Sequence, residues 1–131
     1  MNSIINRDTL LPYLIEIVKW YEQNGIEIRP LPEIVIIHDN GNAESPLGNT
    51  GYYDWQNQVI ALYVNGRHIK DVLRSFCHEL IHHNQYIEYG DVDTGTENVT
   101  KSQHLQKLEG DAYFRGNMLF RSWSDNFKNV R

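Results

Sequence analysis

His78, Glu79 and His82 are the residues of this chain whose types and spacing could do chemistry together. Residues four apart are neighbours on a helix, so two imidazoles at that spacing can offer nitrogens to one metal ion. Glu79 then stands beside the ion without coordinating it. The spacing separates ligand from base: zinc lowers the pKa of its bound water to about 7, and an adjacent carboxylate can take the proton as the water attacks a carbonyl. The lesser alternative is that the three residues decorate a solvated helix face, because so short a pattern also arises by chance.

Context decides between those readings. Leu73, Phe76, Cys77, Leu80 and Ile81 recur at helical spacing and predict an amphipathic helix from Ile69 to about Glu88, its apolar stripe facing the core. His78, Glu79 and His82 fall on the other side, towards a cleft. The adjacent His83 points about 100° away and reads as a surface or outer-layer residue.

A catalytic zinc takes three protein ligands and keeps one position open. Four residues could supply the third ligand. Glu88 stands where His-Glu-x-x-His-x-x-Gly-x-x-His would place its last ligand, but Gln85 replaces the turn glycine, so the chain should continue as helix. His104 is a good ligand type in the first turn of a later helix, where a capping or surface role is as easy. Glu109 lies among Leu105, Leu108, Ala112, Tyr113 and Gly116, where a half-buried carboxylate is expensive unless paired or coordinated. Asp111 is about 200° around the helix from Glu109, so the two cannot easily face one ion, and Glu109 is preferred.

The remaining elements must position these groups. A helix is expected over 9–24, with Leu11, Leu14, Ile15 and Val18 towards a sheet face, Asp8 or Thr9 capping its start and Asn24-Gly25 stopping it. Ile34 to Ile37 reads as a short strand, and Asp39 to Gly51 as a polar, glycine-rich loop. Tyr52 to Trp55 and Gln58 to Val64 suggest an antiparallel hairpin around Gln56-Asn57. Thr100 with Gln103 fits a capping box opening a helix that runs to about Trp123, and residues 124–131 read as a frayed polar tail. Asp91, Asp93 and Glu97 lack the spacing of a calcium loop and read as a solvated segment. This succession predicts one α+β domain spanning 1–131.

Composition narrows the function classes. The chain has 131 residues, 40% of them hydrophobic and 11% aromatic, enough for one continuous core. Its formal charge is −5 with scattered basic residues, which argues against nucleic acid as a partner. No apolar run is long enough to span a bilayer and no signal-peptide pattern opens the chain, so a soluble, cytoplasmic protein is expected. Cys77 is the only cysteine, which excludes an internal disulfide and a four-thiolate zinc site, leaving histidine and carboxylate to hold any metal. The glycosylation sequon Asn98-Val99-Thr100 reads as a chance match.

With Phe76-Cys77-His78-Glu79-Leu80-Ile81-His82-His83 as the helical signature, the sequence resembles small gluzincin-type zinc metallopeptidases, including ImmA/IrrE-like proteins. A second block, Leu108-Glu109-Gly110-Asp111-Ala112-Tyr113, resembles the segment in which a glutamate followed three residues later by alanine supplies the third ligand. The resemblance implies a zincin-like fold, with a short antiparallel or mixed sheet packed against the motif helix and a third helix carrying the last ligand. It implies Zn2+ held by His78, His82 and Glu109, with Glu79 as general base. It further implies that Gln58 to Val64 is an edge strand along which an extended peptide or protein substrate lies. Were that strand paired on both sides, a small-substrate hydrolase or a binding role would replace the peptidase reading. The competing class is a regulatory or binding module with a structural or degenerate zinc site, which a closed four-ligand centre would favour.

Overall fold

The computed structural model describes residues 5–41, 50–90 and 99–130, with side chains in the last stretch described over 105–126. The expectations for Asp91, Asp93, Glu97 and Asn98, for the middle of the Asp39 to Gly51 loop and for the His104 side chain lie outside these residues. The described part is α+β, with three long helices and a three-stranded mixed sheet.

Helix α1 spans Arg7–Gln23. Its cap is Asn6, ahead of the expected Asp8 or Thr9: Asn6 Oδ1 accepts the Thr9 amide at 2.9 Å. Its buried face is Leu10, Leu14, Ile17 and Tyr21, whereas Leu11 and Ile15, expected in the core, are exposed. Both sets are helically spaced and only one residue out of phase. The larger area of Tyr21 falls on the face that wins, and its hydroxyl donates to the Cys77 carbonyl at 2.5 Å. That bond carries α1 onto the other helices and away from the sheet face it was expected to cover.

Strand β1 is Glu33–Ile37, β2 is Gly51–Asp54 and β3 is Val59–Tyr63, in the order β1-β3-β2. The hairpin between β2 and β3 forms as expected, but its connection is longer than Gln56-Asn57. Asp54 pairs with Val59, and the Asp54 carboxylate accepts the amides of Gln56 and Asn57 at 3.1 and 3.3 Å. The decisive difference concerns β3. It pairs parallel with β1 and antiparallel with β2, so it is the central strand and cannot receive an extended substrate. Ile60, Ala61 and Leu62 are all buried, as befits a strand covered on both faces.

Helix α2 spans Ile69–Tyr89 and lies against β2 and β3 on one side and against α1 and α3 on others. Every member of its expected stripe, Leu73, Phe76, Cys77, Leu80 and Ile81, is buried. Helix α3 spans Val99–Val130. It begins before Thr100, which is therefore inside the helix and not its cap, and it continues through the segment expected to fray. No glycine or proline interrupts residues 117–130, and adding a turn to a formed helix is easier than nucleating one. Leu108, Ala112, Phe120 and Trp123 form its buried face. Among the described residues no helix is long and apolar enough to cross a membrane.

Candidate metal centre

His78 and His82 stand one turn apart on α2, their ring centroids 5.0 Å apart, each half-buried. Glu109 reaches them from α3. Its Oε1 lies 2.5 Å from His82 Nε2 and 3.7 Å from His78 Nε2, and one donor atom from each of the three residues falls within 4.8 Å of the others. The approach depends on small residues one and two turns further along α3. Ala112 is fully buried, and a methyl group placed on Gly116 would lie 3.0 Å from the His78 Cα and 3.3 Å from its nitrogen. Only a glycine lets the two helix backbones come this close.

Glu109 itself is 55% exposed, so the burial cost expected to mark it as functional does not apply. That cost falls on Glu79, which is 7% exposed and lies beneath β2 instead of facing an open cleft. Among the described residues no hydrogen-bond donor reaches its carboxylate. Burial first, and the Glu109 charge second, push its carboxyl group up to about 8. Strand β2 can lie this near because residue 51 is glycine: a Cβ there would meet the Ala61 carbonyl oxygen at 2.8 Å and stand 3.8 Å from Glu79 Cγ.

The surroundings of the two histidines differ. His82 Nδ1 contacts Gln85 Oε1 at 2.8 Å, and Gln85 Nε2 donates to Asp111 Oδ2 at 2.8 Å and to the Leu108 carbonyl at 2.9 Å. Asp111, weighed as a ligand, instead accepts from Gln85 and Arg115. The Arg115 guanidinium, aided by Gln85, holds its carboxyl group below the usual range. His78 has the Tyr113 ring against it, centroids 4.6 Å apart, and desolvation, reinforced by His82, lowers its pKa.

Other candidates are placed elsewhere. Glu88 accepts from Asn84 Nδ2 at 3.2 Å and is not brought to the histidines. His83 is fully buried, contrary to the surface role expected. Its Nε2 faces the carbonyls of Ile28 and Pro30 at 3.2 and 2.7 Å, so Nε2 donates and Nδ1 accepts from the Tyr53 hydroxyl at 2.6 Å. Cys77 is fully buried and its thiol is pushed up to about 12 by desolvation, which makes it a packing residue. Sequence reasoning missed Gln85 and Gly116. Gln85 had a local signal, since a residue three positions after a histidine shares its helix face.

Two imidazoles and a carboxylate converging on one point, with the Glu109 side open to solvent, are a donor set that fits a divalent ion. Ligands bound at about 2.0 to 2.2 Å from one zinc ion lie roughly 3 to 4 Å apart. The 3.7 Å between His78 and Glu109 falls in that range, whereas the 2.5 Å contact of Glu109 with His82 is a hydrogen-bond distance that must lengthen to admit an ion. Compared with models of protein families, with curated proteins and with solved structures, the chain matches none.

Proposed function

We propose that the protein is a small zinc-dependent hydrolase of zincin-like build that acts on peptide bonds, with His78, His82 and Glu109 holding the ion and Glu79 as general base. The observation that carries the proposal is Glu79: a nearly buried carboxylate, without a hydrogen-bond donor among the described residues, set one position from a His-His-Glu cluster. Folding alone selects against such a residue, and a proton-transfer role accounts for it. When bound, zinc supplies a Lewis acid that makes water a nucleophile near neutral pH. Glu79 accepts the proton from the attacking water and returns it to the leaving amine.

β3 is paired on both sides, the condition under which a small-substrate hydrolase or a binding role replaces a peptidase built on that strand, so a peptide substrate needs another edge. Thr50 accepts the Tyr63 amide at 3.2 Å, and the alternation of an antiparallel pair then turns the amides of Tyr52 and Asp54 towards β3 and those of Gly51 and Tyr53 outward. Among the described residues no strand pairs with that outer edge, and Gly51 borders Glu79. An extended peptide can use the two outward residues as a short ladder. A binding module with a closed zinc site is the second reading. That site would need a fourth ligand such as His104 to join the three described donors, whereas the exposure of Glu109 leaves one side of them open to solvent.

The test combines elemental analysis with digestion of a peptide library. The wild-type protein should carry about one zinc per chain and cut peptides, Glu79→Gln should keep the zinc and lose the cutting, and His78→Ala and Glu109→Ala should lose both. Full activity in Glu79→Gln, or no zinc after reconstitution of a folded protein, overturns the reading.

A further inference from the structure

We propose that Gln85 is a positioning residue that commits His82 to bind a metal through Nε2, and that Asp111 and Arg115 set the direction in which Gln85 points. The proposal rests on reading His78, His82 and Glu109 as a metal centre and specifies how that centre is prepared.

Polarity propagates inward from groups that have no choice. A guanidinium only donates, and Arg115 gives Nε to Asp111 Oδ1 at 2.7 Å and Nη2 to Asp111 Oδ2 at 2.6 Å. Asp111 is thereby an acceptor, as is the backbone carbonyl of Leu108. Gln85 touches both, at 2.8 and 2.9 Å, and can do so only with its NH2 group. Its oxygen must then be the atom turned to His82. An amide oxygen only accepts, so the 2.8 Å contact requires a proton on His82 Nδ1, whether the ring is neutral or charged. The nitrogen left for a metal is Nε2, the one beside Glu109.

Two further bonds fix the far end of this chain. Arg115 Nη2 also donates to Asn84 Oδ1 at 3.0 Å, and Asn84 Nδ2 donates to the Glu27 carbonyl at 2.8 Å. Gln85 lies on α2 while Leu108, Asp111 and Arg115 lie on α3, so the contacts that select the nitrogen also dock the helix that delivers Glu109. His78 is a natural contrast. Among the described residues nothing hydrogen-bonds its Nδ1, and its ring neighbours, Tyr113 and His82, pack against it without holding that nitrogen. Of the two imidazoles, one is preset and the other is free to choose.

The experiment is NMR on protein carrying 15N-labelled histidine, metal-free and after one equivalent of zinc, together with zinc dissociation constants by competition. His82 should show an Nδ1–H proton protected from solvent exchange in both states, and zinc should perturb its Nε2. Gln85→Leu should lose that protected proton and bind zinc roughly 10- to 100-fold more weakly, with helical content unchanged. An unprotonated His82 Nδ1 in the wild-type protein, zinc bound through Nδ1, or an unchanged dissociation constant in a folded Gln85→Leu overturns the proposal. Should that variant not fold, the wild-type spectrum decides alone. A protein that takes up no zinc yet keeps the protected Nδ1–H supports the tautomer assignment and overturns the hydrolase reading, so the two failures are distinct.

Discussion

Glu79 combines a carboxylate, a nearly buried side chain and no hydrogen-bond donor among the described residues. Leaving a buried polar group unpaired costs about 1 to 3 kcal/mol, and residues kept at such a cost are commonly those that function needs. Replacing Glu79 with leucine should therefore raise the stability of the metal-free protein, by on the order of 1 kcal/mol in denaturant titration, while abolishing hydrolysis. A clear loss of stability would mean that the carboxylate has a structural partner, and would undercut its role as base. At this scale the sequence was legible where the information is local. His78, Glu79 and His82 lie within two turns, and their spacing alone brings the imidazoles together. What lay outside its reach was tertiary. The donor-free burial of Glu79 comes from β2, the bond partners of His83 come from Ile28, Pro30 and Tyr53, and Asp111, whose pairing with Arg115 one turn on is local, became an anchor through Gln85 reaching it from α2.

At the level of elements, the approach of α3 to α2 sets the centre. Gly116 faces the His78 backbone, and the contact that an added methyl would make there is with Cα and N, which cannot swing aside as a side chain can. Gly116→Ala should cost about 1 to 3 kcal/mol of stability by overpacking and should also weaken zinc binding, because it moves the helix that carries Glu109. Chemical denaturation and zinc competition measure the two effects. Lost stability with unchanged zinc affinity would show that the close approach serves packing alone. Helix periodicity made α2 and α3 readable in the sequence, since an apolar stripe repeats over several turns. Strand order was not readable: Ile60, Ala61 and Leu62 are apolar in succession, a pattern shared by central strands and by some edges, and only the pairing with β1 decides. The shifted phase of α1 has a similar origin: two overlapping stripes share Leu14, and contacts with the other helices, Tyr21 to the Cys77 carbonyl and Tyr13 to Trp123 among them, decide which faces inward.

On the scale of the whole molecule, the three donors come from two helices, and an ion held there bridges them. An unfolded chain offers no such arrangement, so metal binding adds to folding by mass action. Free zinc at 100 times its dissociation constant should stabilise the protein by about 2.7 kcal/mol, and a chelator should reverse the gain. Thermal unfolding with and without chelator is the measurement, and Glu109→Ala should show little of the difference. An equal rise in that variant would place the zinc elsewhere on the surface.

The central position of β3 has a consequence for how the sheet behaves in heavy water. The amides of Tyr63 and Val64 bond to β2 and β1 in turn, and the same alternation pairs the residues before them. Deuterium can therefore enter the middle strand only when the sheet comes apart, on the slow clock of global opening. The amides of Gly51 and Tyr53, turned outward on β2, should take up deuterium orders of magnitude sooner. A peptide seated on that edge would slow those two amides and leave Tyr52 and Asp54 unchanged, which makes isotope uptake at alternate residues of one short strand a footprint of the substrate.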